Sequence, residues 1–200
     1  MARLIVLRHG NTFEPGDVVT RIGARTDPPL SRSGREQANA AGEALVTRGF
    51  RIGTILSSPL SRAIETAGAV RDRVAPDLDI EPIEALREID YGPDENRPEA
   101  EVVARVGAAA IAAWDADAAP APGWTVDVAA IKETWGDLFD RFRKRRDDAL
   151  VVTSNGVARF VLDVADEVPP GASRKLKTAA FGVVDLADGA ARLTNWNVRG

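Results

Sequence analysis

The stretch that decides the fold of this chain is Leu4-Ile5-Val6-Leu7-Arg8-His9-Gly10-Asn11-Thr12. Its first four residues, 4–7, are all apolar and predict a buried β-strand. The strand runs directly into Arg8 and His9, and His9 is the only histidine of the chain. Ligands of open α/β sheets bind outside the carboxyl ends of the strands, so we expect the chemistry of this protein to lie here.

Arg8 and His9 are residue types suited to phosphoryl chemistry. An imidazole acts as a nucleophile as well as a base, and a neighbouring guanidinium holds a phosphoryl group in bidentate fashion. The alternative is structural, a strand-end histidine that caps a loop. The short motif alone leaves both interpretations open.

The composition of the chain argues against several other functions. A length of 200 residues predicts one domain, and 44% hydrophobic with 28% charged residues is ordinary for a globular protein. The net charge of −4 does not favour nucleic acid or an anionic membrane as a partner. With no cysteine and one histidine, we expect no disulfide, no cysteine nucleophile and no transition-metal site.

The sequence shows no targeting pattern. No basic segment followed by an apolar run and a cleavage site precedes the first strand. No stretch is long and apolar enough to span a bilayer. We therefore expect a cytoplasmic protein.

The first half of the chain alternates helices with strands. A helix is expected to begin near residues 31–33, whose hydroxyls suit capping, and its apolar face comprises Ala38, Ala41, Leu45 and Val46. A strand over residues 54–57 leads to Pro59, which is suited to the first turn of the next helix, and that helix carries Arg62. A short strand follows near residues 78–80.

The second half continues this alternation. Helical spacing is found in two sets, Val103, Val106, Ala110 and Trp114, and then Ile131, Trp135, Leu138, Phe139 and Phe142. A strand over residues 149–153 breaks at 154–156, where a helix begins. Strands near 179–186 and 191–196 form an expected hairpin. The alternation predicts an α/β fold, a three-layer α/β/α sandwich with a mostly parallel sheet.

Polar residues from several strand ends converge in this fold. Arg8 and His9 follow the first strand, Arg62 opens a helix, and Asn155-Gly156 lies between a strand and a helix N-terminus, which favours anions. Each has an ordinary explanation alone: Arg62 as a surface cation, Asn155 as a turn residue and Glu88 as a solvated acid. Together they provide what a phosphoryl group needs.

The order of these motifs resembles the histidine phosphatase (phosphoglycerate mutase-like) superfamily over nearly the whole chain. Besides residues 7–12, the resemblance rests on three stretches, Asp27-Pro28-Pro29-Leu30-Ser31-Arg32-Ser33-Gly34-Arg35-Glu36-Gln37-Ala38, Ser57-Ser58-Pro59-Leu60-Ser61-Arg62-Ala63-Ile64-Glu65-Thr66-Ala67 and Leu86-Arg87-Glu88-Ile89-Asp90-Tyr91-Gly92. The chain looks like the compact phosphatase branch, because it lacks the extra segments of the longer mutases. Residues 1–200 are then one domain, with a helical insertion or lid over about 92–146.

The resemblance implies a phosphomonoesterase that acts in two steps. His9 would attack the phosphorus and become a phosphohistidine, and Glu88 would protonate the leaving alcohol and then deprotonate the attacking water. The phosphate-binding residues implied are Arg8, Arg62, Asn155, Asn11 and Gly156. No metal or other cofactor is required, because the arginines neutralise the phosphoryl oxygens.

The chain departs from the family at one position. The family has a second histidine after the late strand, and Asn155 stands there, in Thr153-Ser154-Asn155-Gly156-Val157. Asparagine keeps a hydrogen-bond donor but carries no positive charge. Three interpretations remain: a working phosphatase tuned by Asn155, a weak or inactive relative that binds phosphorylated ligands for regulation or scaffolding, and an engineered substitution that traps a ligand.

The substrate itself is not specified by the sequence beyond a small phosphorylated molecule. Arg21 and Arg25 are candidates for contact with a second anionic group, or are solvated loop cations. Core or lid packing is the expected role of the tryptophans Trp114, Trp124 and Trp135. We expect no nucleic-acid or membrane partner, and either a monomer or a homodimer.

Overall fold

A six-stranded sheet lies at the centre of the structure, a computed structural model that describes residues 2–200. The strands are β1 (Arg3–Arg8), β2 (Ile52–Ser57), β3 (Ile80–Pro82), β4 (Asp148–Thr153), β5 (Phe181–Asp185) and β6 (Arg192–Val198). Their order across the sheet is β3-β2-β4-β1-β5-β6. β1 and β2, which are consecutive along the chain, are therefore separated in the sheet by β4, and parallel strands of this kind are joined by crossover connections.

The sheet is parallel over its first four positions. β1 and β2 both pair in parallel with β4, and Val152 of β4 lies opposite Leu7 on one side and Ser57 on the other. The carboxyl ends of these three strands consequently end at one edge. β5 is antiparallel to β1 and to β6, and their hairpin turns at Asp188 and Gly189, which both have positive φ. The mostly parallel sheet and the terminal hairpin are confirmed.

Seven α-helices cover the sheet in the described part of the chain. They are α1 (Arg32–Thr47), α2 (Ser61–Val74), α3 (Glu99–Val106), α4 (Ala108–Asp117), α5 (Val128–Arg143), α6 (Asn155–Ala158) and α7 (Val161–Val164). Short 3₁₀ turns lie at Glu84–Leu86, Gly92–Asp94 and Ala187–Gly189. As predicted, α1 begins with a hydroxyl cap, because the Ser31 Oγ accepts a hydrogen bond from the Gly34 N–H.

The helices form two layers, one on each face of the sheet. Ile5 and Leu7 of β1 pack into a core with α1 and α2, whereas Leu4 and Val6 pack into a core with α5 to α7. An uninterrupted apolar run is the pattern of a parallel strand that is covered on both faces. The predicted three-layer α/β/α sandwich is confirmed.

Three details of the predicted helices are wrong. The pattern from Val103 to Trp114 is broken into α3 and α4 at Gly107, whose φ of 86° is outside helical geometry. Val46, in the last turn of α1, is 52% exposed and does not belong to the buried face of the helix. Pro59 precedes α2 by two residues and is not in its first turn.

The tryptophans pack as expected. Trp114, Trp124 and Trp135 are all buried, and the Trp114 and Trp124 rings meet edge to face with centroids 5.5 Å apart. Among residues 2–200, no helix is both long and apolar enough to cross a bilayer.

Candidate active site

A cavity of about 440 Å³ opens where β1 and β4 end. Six of the residues predicted for the site line it, Arg8, His9, Asn11, Arg21, Glu88 and Asn155. Three loops, residues 12–22, the segment around Tyr91 and residues 175–178, supply other walls, together with Glu99 of α3 and Trp114 and Asp115 of α4. The parallel register brings these strand ends to one place, so residues that are far apart in sequence share the cavity.

His9 is held with one ring nitrogen turned toward the backbone. Its Nδ1 lies 2.8 Å from the carbonyl oxygen of Gly10. A carbonyl accepts but does not donate, so Nδ1 carries the proton and Nε2 keeps its lone pair. Burial, together with the nearby charges of Arg62 and Arg8, holds the pKa of His9 well below the ordinary value of 6.5. The imidazole is therefore neutral and nucleophilic near pH 7.

The turn after His9 tolerates no side chain. Gly10 donates from its N–H to Thr66 Oγ1 at 3.1 Å, and a Cβ on Gly10 would collide with the carbonyl of Gly34. A Cβ on Gly34 would in turn collide with the carbonyl of Asn11. Because α1 packs so closely against this turn, the backbone after β1 follows one course, and this sets the orientation of the His9 side chain.

Arg8 and Arg62 are the two arginines whose charges act on His9. Arg8 Nη1 donates to the Leu176 carbonyl at 2.8 Å, and Arg62 donates to the carbonyls of Thr26 and Gly23 at 2.8 and 3.2 Å. The Nε of each arginine is buried and has no hydrogen-bond partner among residues 2–200. Arg62 is completely buried and does not line the cavity, whereas Arg8 does.

Glu88 is a buried carboxyl group held by two backbone donors. The N–H of Ile89 donates to its Oε1 at 2.9 Å, and the N–H of Gly156 donates to its Oε2 at 3.2 Å. Burial raises the pKa of Glu88 above its ordinary value, opposed by these hydrogen bonds and by the charges of Arg62 and Arg8. A raised pKa suits a group that must give up a proton and then take one back.

Asn155 keeps its two amide hydrogens free. Its Oδ1 accepts a hydrogen bond from the N–H of Leu176 at 2.7 Å, which turns Nδ2 away from that contact. Nδ2 donates to no residue of the described chain, and Asn155 lines the cavity. The main chain of Leu176 therefore positions both Asn155 and Arg8.

Two predicted phosphate-binding residues have other partners. The N–H of Gly156 is engaged by Glu88, and the side-chain amide of Asn11 donates to Phe13 and Ser33 at 3.0 and 3.2 Å. The Asn11 Oδ1 meanwhile accepts from the next two N–H groups of its own loop. In this structure Gly156 holds Glu88 and Asn11 shapes the loop, and direct phosphate contact by either residue stays a prediction.

The two candidate cations of the loop differ. Arg21 lines the cavity, but its Nη2 donates to both oxygens of Glu99 at 2.6 Å. Arg25 does not line the cavity and instead contacts Asp90 and the carbonyl of Gly92. Arg25 is therefore a loop cation outside the cavity, whereas the ion pair with Glu99 neutralises much of the charge of Arg21.

Sequence reasoning missed two cations of the cavity, Arg159 and Lys175. Arg159 is 3% exposed and immediately follows α6. Arg159 lies four residues after Asn155, a spacing that places two residues on the same side of a helix, so the sequence does contain a signal that Arg159 lies near Asn155. Lys175 offers no such signal, because it lies in a loop between α7 and β5.

No three side chains among His, Cys, Asp and Glu cluster to form a metal site in the part of the chain described, residues 2–200.

Comparisons with known proteins agree with this architecture. The family model described as "Histidine phosphatase superfamily (branch 1)" matches residues 4–199. The chain is 40% identical over 121 residues to a glucosyl-3-phosphoglycerate phosphatase of Mycolicibacterium vanbaalenii, covering 60% of this chain and 50% of that protein. It is 32% identical over 117 residues to a 2,3-bisphosphoglycerate-dependent phosphoglycerate mutase of Porphyromonas gingivalis, covering 57% and 46%. The chain spans about half the length of these curated relatives.

Solved structures share the fold over its full extent. A mycobacterial glucosyl-3-phosphoglycerate phosphatase complexed with VO₃ superposes with a TM-score of 0.80 at 24% identity, covering 99% of this chain and 100% of that one. A phosphoserine phosphatase of Entamoeba histolytica in complex with 3-phosphoglyceric acid gives 0.76 at 22% identity, covering 99% and 98%. At these identities the likeness establishes the fold.

Proposed function

The chain belongs to the histidine phosphatase superfamily (branch 1), and from this premise we propose that it is a phosphomonoesterase acting on a small phosphorylated metabolite. The observation that carries the proposal is the state of His9. Its Nδ1 faces the Gly10 carbonyl, so Nε2 is an unprotonated nucleophile inside a cavity that also contains Arg8 and Glu88. The names of the relatives, a phosphatase and a mutase, support phosphoryl transfer as the reaction class.

In the first step, His9 Nε2 attacks the phosphorus and the ester P–O bond breaks. The protonated carboxyl of Glu88 gives its proton to the departing oxygen, which leaves as an alcohol. The unpartnered Nε–H of Arg8, together with the buried charge of Arg62, stabilises the negative charge on the phosphoryl oxygens. The product is a phosphohistidine at His9.

In the second step, water attacks the phosphorus and the P–N bond breaks. The Glu88 carboxylate takes a proton from that water, inorganic phosphate leaves, and His9 and Glu88 return to their starting states. The N–H of Gly156 holds the carboxylate in both steps, because the hydrogen bond to Oε2 does not depend on the substrate.

Asn155 fits this mechanism as a neutral donor to the phosphoryl group. Its free Nδ2 faces the cavity while Leu176 fixes its Oδ1. A preorganised donor at such a position contributes about 10²–10³ in rate, and the contribution does not require a charge. The presence of both a nucleophile, His9, and a proton donor, Glu88, in the same cavity supports a working enzyme over a relative that only binds phosphorylated ligands.

Release of inorganic phosphate tests the proposal. The protein is incubated with p-nitrophenyl phosphate and a panel of phosphorylated sugars, acids and amino acids, beside the variants His9→Ala and Asn155→His. We expect release that His9→Ala abolishes. If every donor fails with the parent chain and Asn155→His gains activity, the protein is a phosphate-ligand binder and the proposal is wrong.

A further inference from the structure

Arg62 is completely buried and does not line the cavity, although its charge acts on His9. A long side chain must be held in one orientation before its charge can stabilise a reacting group without reorganising. The guanidinium is held by hydrogen bonds from Nη1 to the Thr26 carbonyl at 2.8 Å and from Nη2 to the Gly23 carbonyl at 3.2 Å. The position of the Arg62 charge therefore depends on the course of the loop formed by residues 23–26.

The carboxylate of Glu95 holds the same two loop residues by their other polar groups. Its Oε2 accepts a hydrogen bond from the Gly23 N–H at 3.0 Å and another from the Thr26 hydroxyl at 2.6 Å. Its Oε1 accepts from the Arg25 N–H at 3.3 Å. A Cβ on Gly23 would collide with this carboxylate, so the contact is close. Three donors from four consecutive residues thus converge on one side chain, and a carboxylate acceptor forms stronger hydrogen bonds than a neutral one.

Glu95 belongs to the same segment of the chain as the proposed acid, Glu88. It immediately follows the 3₁₀ turn Gly92–Asp94. The 23–26 loop also contacts the beginning of this segment, because the Ala24 N–H donates to the Ile89 carbonyl at 2.9 Å. The loop that holds Arg62 is therefore attached at two points to the segment that carries Glu88.

The partners of Glu95 indicate a role within the protein and not at its surface or in direct substrate contact. Glu95 and Thr26 do not line the cavity. The ion pairs found within residues 2–200 do not include Glu95, so the 23–26 loop supplies the side-chain contacts described above.

We propose that Glu95 is a positioning residue, which sets the orientation of the Arg62 guanidinium by holding the 23–26 loop. The inference rests on the proposed function, in which the buried charge of Arg62 stabilises the phosphoryl oxygens. Glu95 acts through the loop and does not contact the substrate.

A double-mutant cycle tests whether Glu95 acts through Arg62. kcat/KM for p-nitrophenyl phosphate is measured with the parent chain, Glu95→Gln, Arg62→Gln and the double variant. We expect Glu95→Gln to lower kcat/KM by about 10- to 100-fold, because misplacing a group by about 1 Å costs up to roughly 10²-fold. In the Arg62→Gln background the same change should cost less than about threefold. Losses that multiply would overturn the proposal, because Glu95 would then act independently of Arg62.

A matched pair of variants at Thr26 tests the hydrogen bond itself. Thr26→Val removes the hydroxyl donor and keeps the branched shape, whereas Thr26→Ser keeps the donor. We expect kcat/KM to be about 3- to 10-fold lower in Thr26→Val than in Thr26→Ser. Glu101→Gln is the control for loss of one negative charge, since Glu101 is an exposed residue of α3. Equal values for the Thr26 pair, or equal losses in Glu101→Gln and Glu95→Gln, would overturn the proposal.

The choice of substrate separates this role from an effect on Glu88. Arg62 is proposed to stabilise the phosphoryl oxygens, which aryl and alkyl phosphates share. Glu95→Gln should therefore lower kcat/KM for p-nitrophenyl phosphate and for glycerol 3-phosphate by the same factor. A loss confined to glycerol 3-phosphate would place the effect at Glu88 and reject the assignment to Arg62.

The ring of His9 separates failure of this inference from failure of the proposed function. His9 is the single histidine of the chain, so a labelled imidazole gives one NMR signal, and its titration reports the pKa. The charged groups that lower this pKa are Arg62 and Arg8, and Glu95 is not among the groups that act on it. If the parent chain hydrolyses no ester, the proposed function fails, but Glu95→Gln should still raise the pKa of His9, as Arg62→Gln does. In such an inactive chain, an unchanged or lower pKa of His9 in Glu95→Gln rejects the inference.

Discussion

Replacing Gly156 by alanine should displace Glu88, the proposed acid–base group, without changing the chemical identity of that residue. The new methyl would lie 2.9 Å from Glu88 Cδ and 3.2 Å from Ile89 Cγ1, and closer still to Glu88 Oε1. Ordinary contact begins at 3.4 Å, and the hydrogen bond from the Gly156 N–H to Oε2 depends on the present approach. The Glu88 carboxylate must therefore move away from the position in which both backbone N–H groups hold it.

The size of the effect follows from that displacement. Retreat of the carboxylate by about 1 Å is enough to cost roughly 10²-fold in rate when the moved group takes part in the chemistry. Loss of general acid catalysis costs about 10²–10⁴-fold, so the two estimates overlap. We expect kcat/KM for an alkyl phosphate to fall about 100-fold in Gly156→Ala.

Leaving-group dependence distinguishes this effect from general damage to the site. An aryl phosphate such as p-nitrophenyl phosphate needs little protonation of its leaving oxygen, so its kcat/KM should fall much less than that of an alkyl phosphate. The assay measures both substrates with the parent chain and the variant. Gly68→Ala is the control, since a Cβ at Gly68 would meet nothing within 4 Å.

An equal loss on both substrates would refute the reasoning. It would mean that the methyl damages binding or folding and that Glu88 is not the proton donor to the leaving group. Thermal unfolding followed by circular dichroism shows whether the fold has suffered.

Three further outcomes are expected. The lowered pKa of His9 keeps the imidazole unprotonated at pH 6.5, and the raised pKa of Glu88 keeps its carboxyl protonated to a higher pH than that of an ordinary glutamate, so activity should fall on the alkaline side as Glu88 loses its proton; a pH–rate profile whose acid limb has its midpoint above 6.5 contradicts this. Asn155→Leu removes the free amide donors and should lower kcat/KM by about 10²–10³-fold in a phosphate-release assay. A decrease in kcat/KM of less than about threefold would mean that Asn155 does not contact the phosphoryl group. Gly10→Ala forces a methyl group against a carbonyl of the first helix, so it should lower the free energy of unfolding by about 1–3 kcal/mol in a urea titration. The control Gly68→Ala should raise the free energy of unfolding by roughly 0.5–1 kcal/mol. Equal stability of the two variants would exclude the steric clash at Gly10.

Much of the fold follows from patterns local to the chain. The apolar run of residues 4–7 indicated a strand covered on both faces, and β1 packs into both cores. The spacing of the apolar residues predicted α5 and its buried face. Gly107 could not be assigned in this way, because an isolated glycine is tolerated within a helix and only its φ shows the break.

The positions of the site residues depend on contacts that no local pattern reveals. The role of Gly156 is one case: its N–H serves Glu88, which lies 68 residues away in sequence. Leu176 is another, since its main chain orients Arg8 across 168 residues. The types of residue and their order along the chain were enough to identify candidate site residues around His9. The three-dimensional structure was needed to distinguish residues that face the cavity from residues that position another side chain.

The proposed mechanism depends most on His9 as a nucleophile, and detection of a phosphohistidine tests that role directly. The protein is mixed with p-nitrophenyl phosphate, quenched within milliseconds in alkali, which preserves a phosphoramidate, and examined by intact-mass and peptide mass spectrometry. We expect one added phosphoryl group, located on the peptide that contains His9 and absent from His9→Ala. Phosphate release by the parent chain with no covalent phosphoryl at His9, or release that persists in His9→Ala, would contradict it.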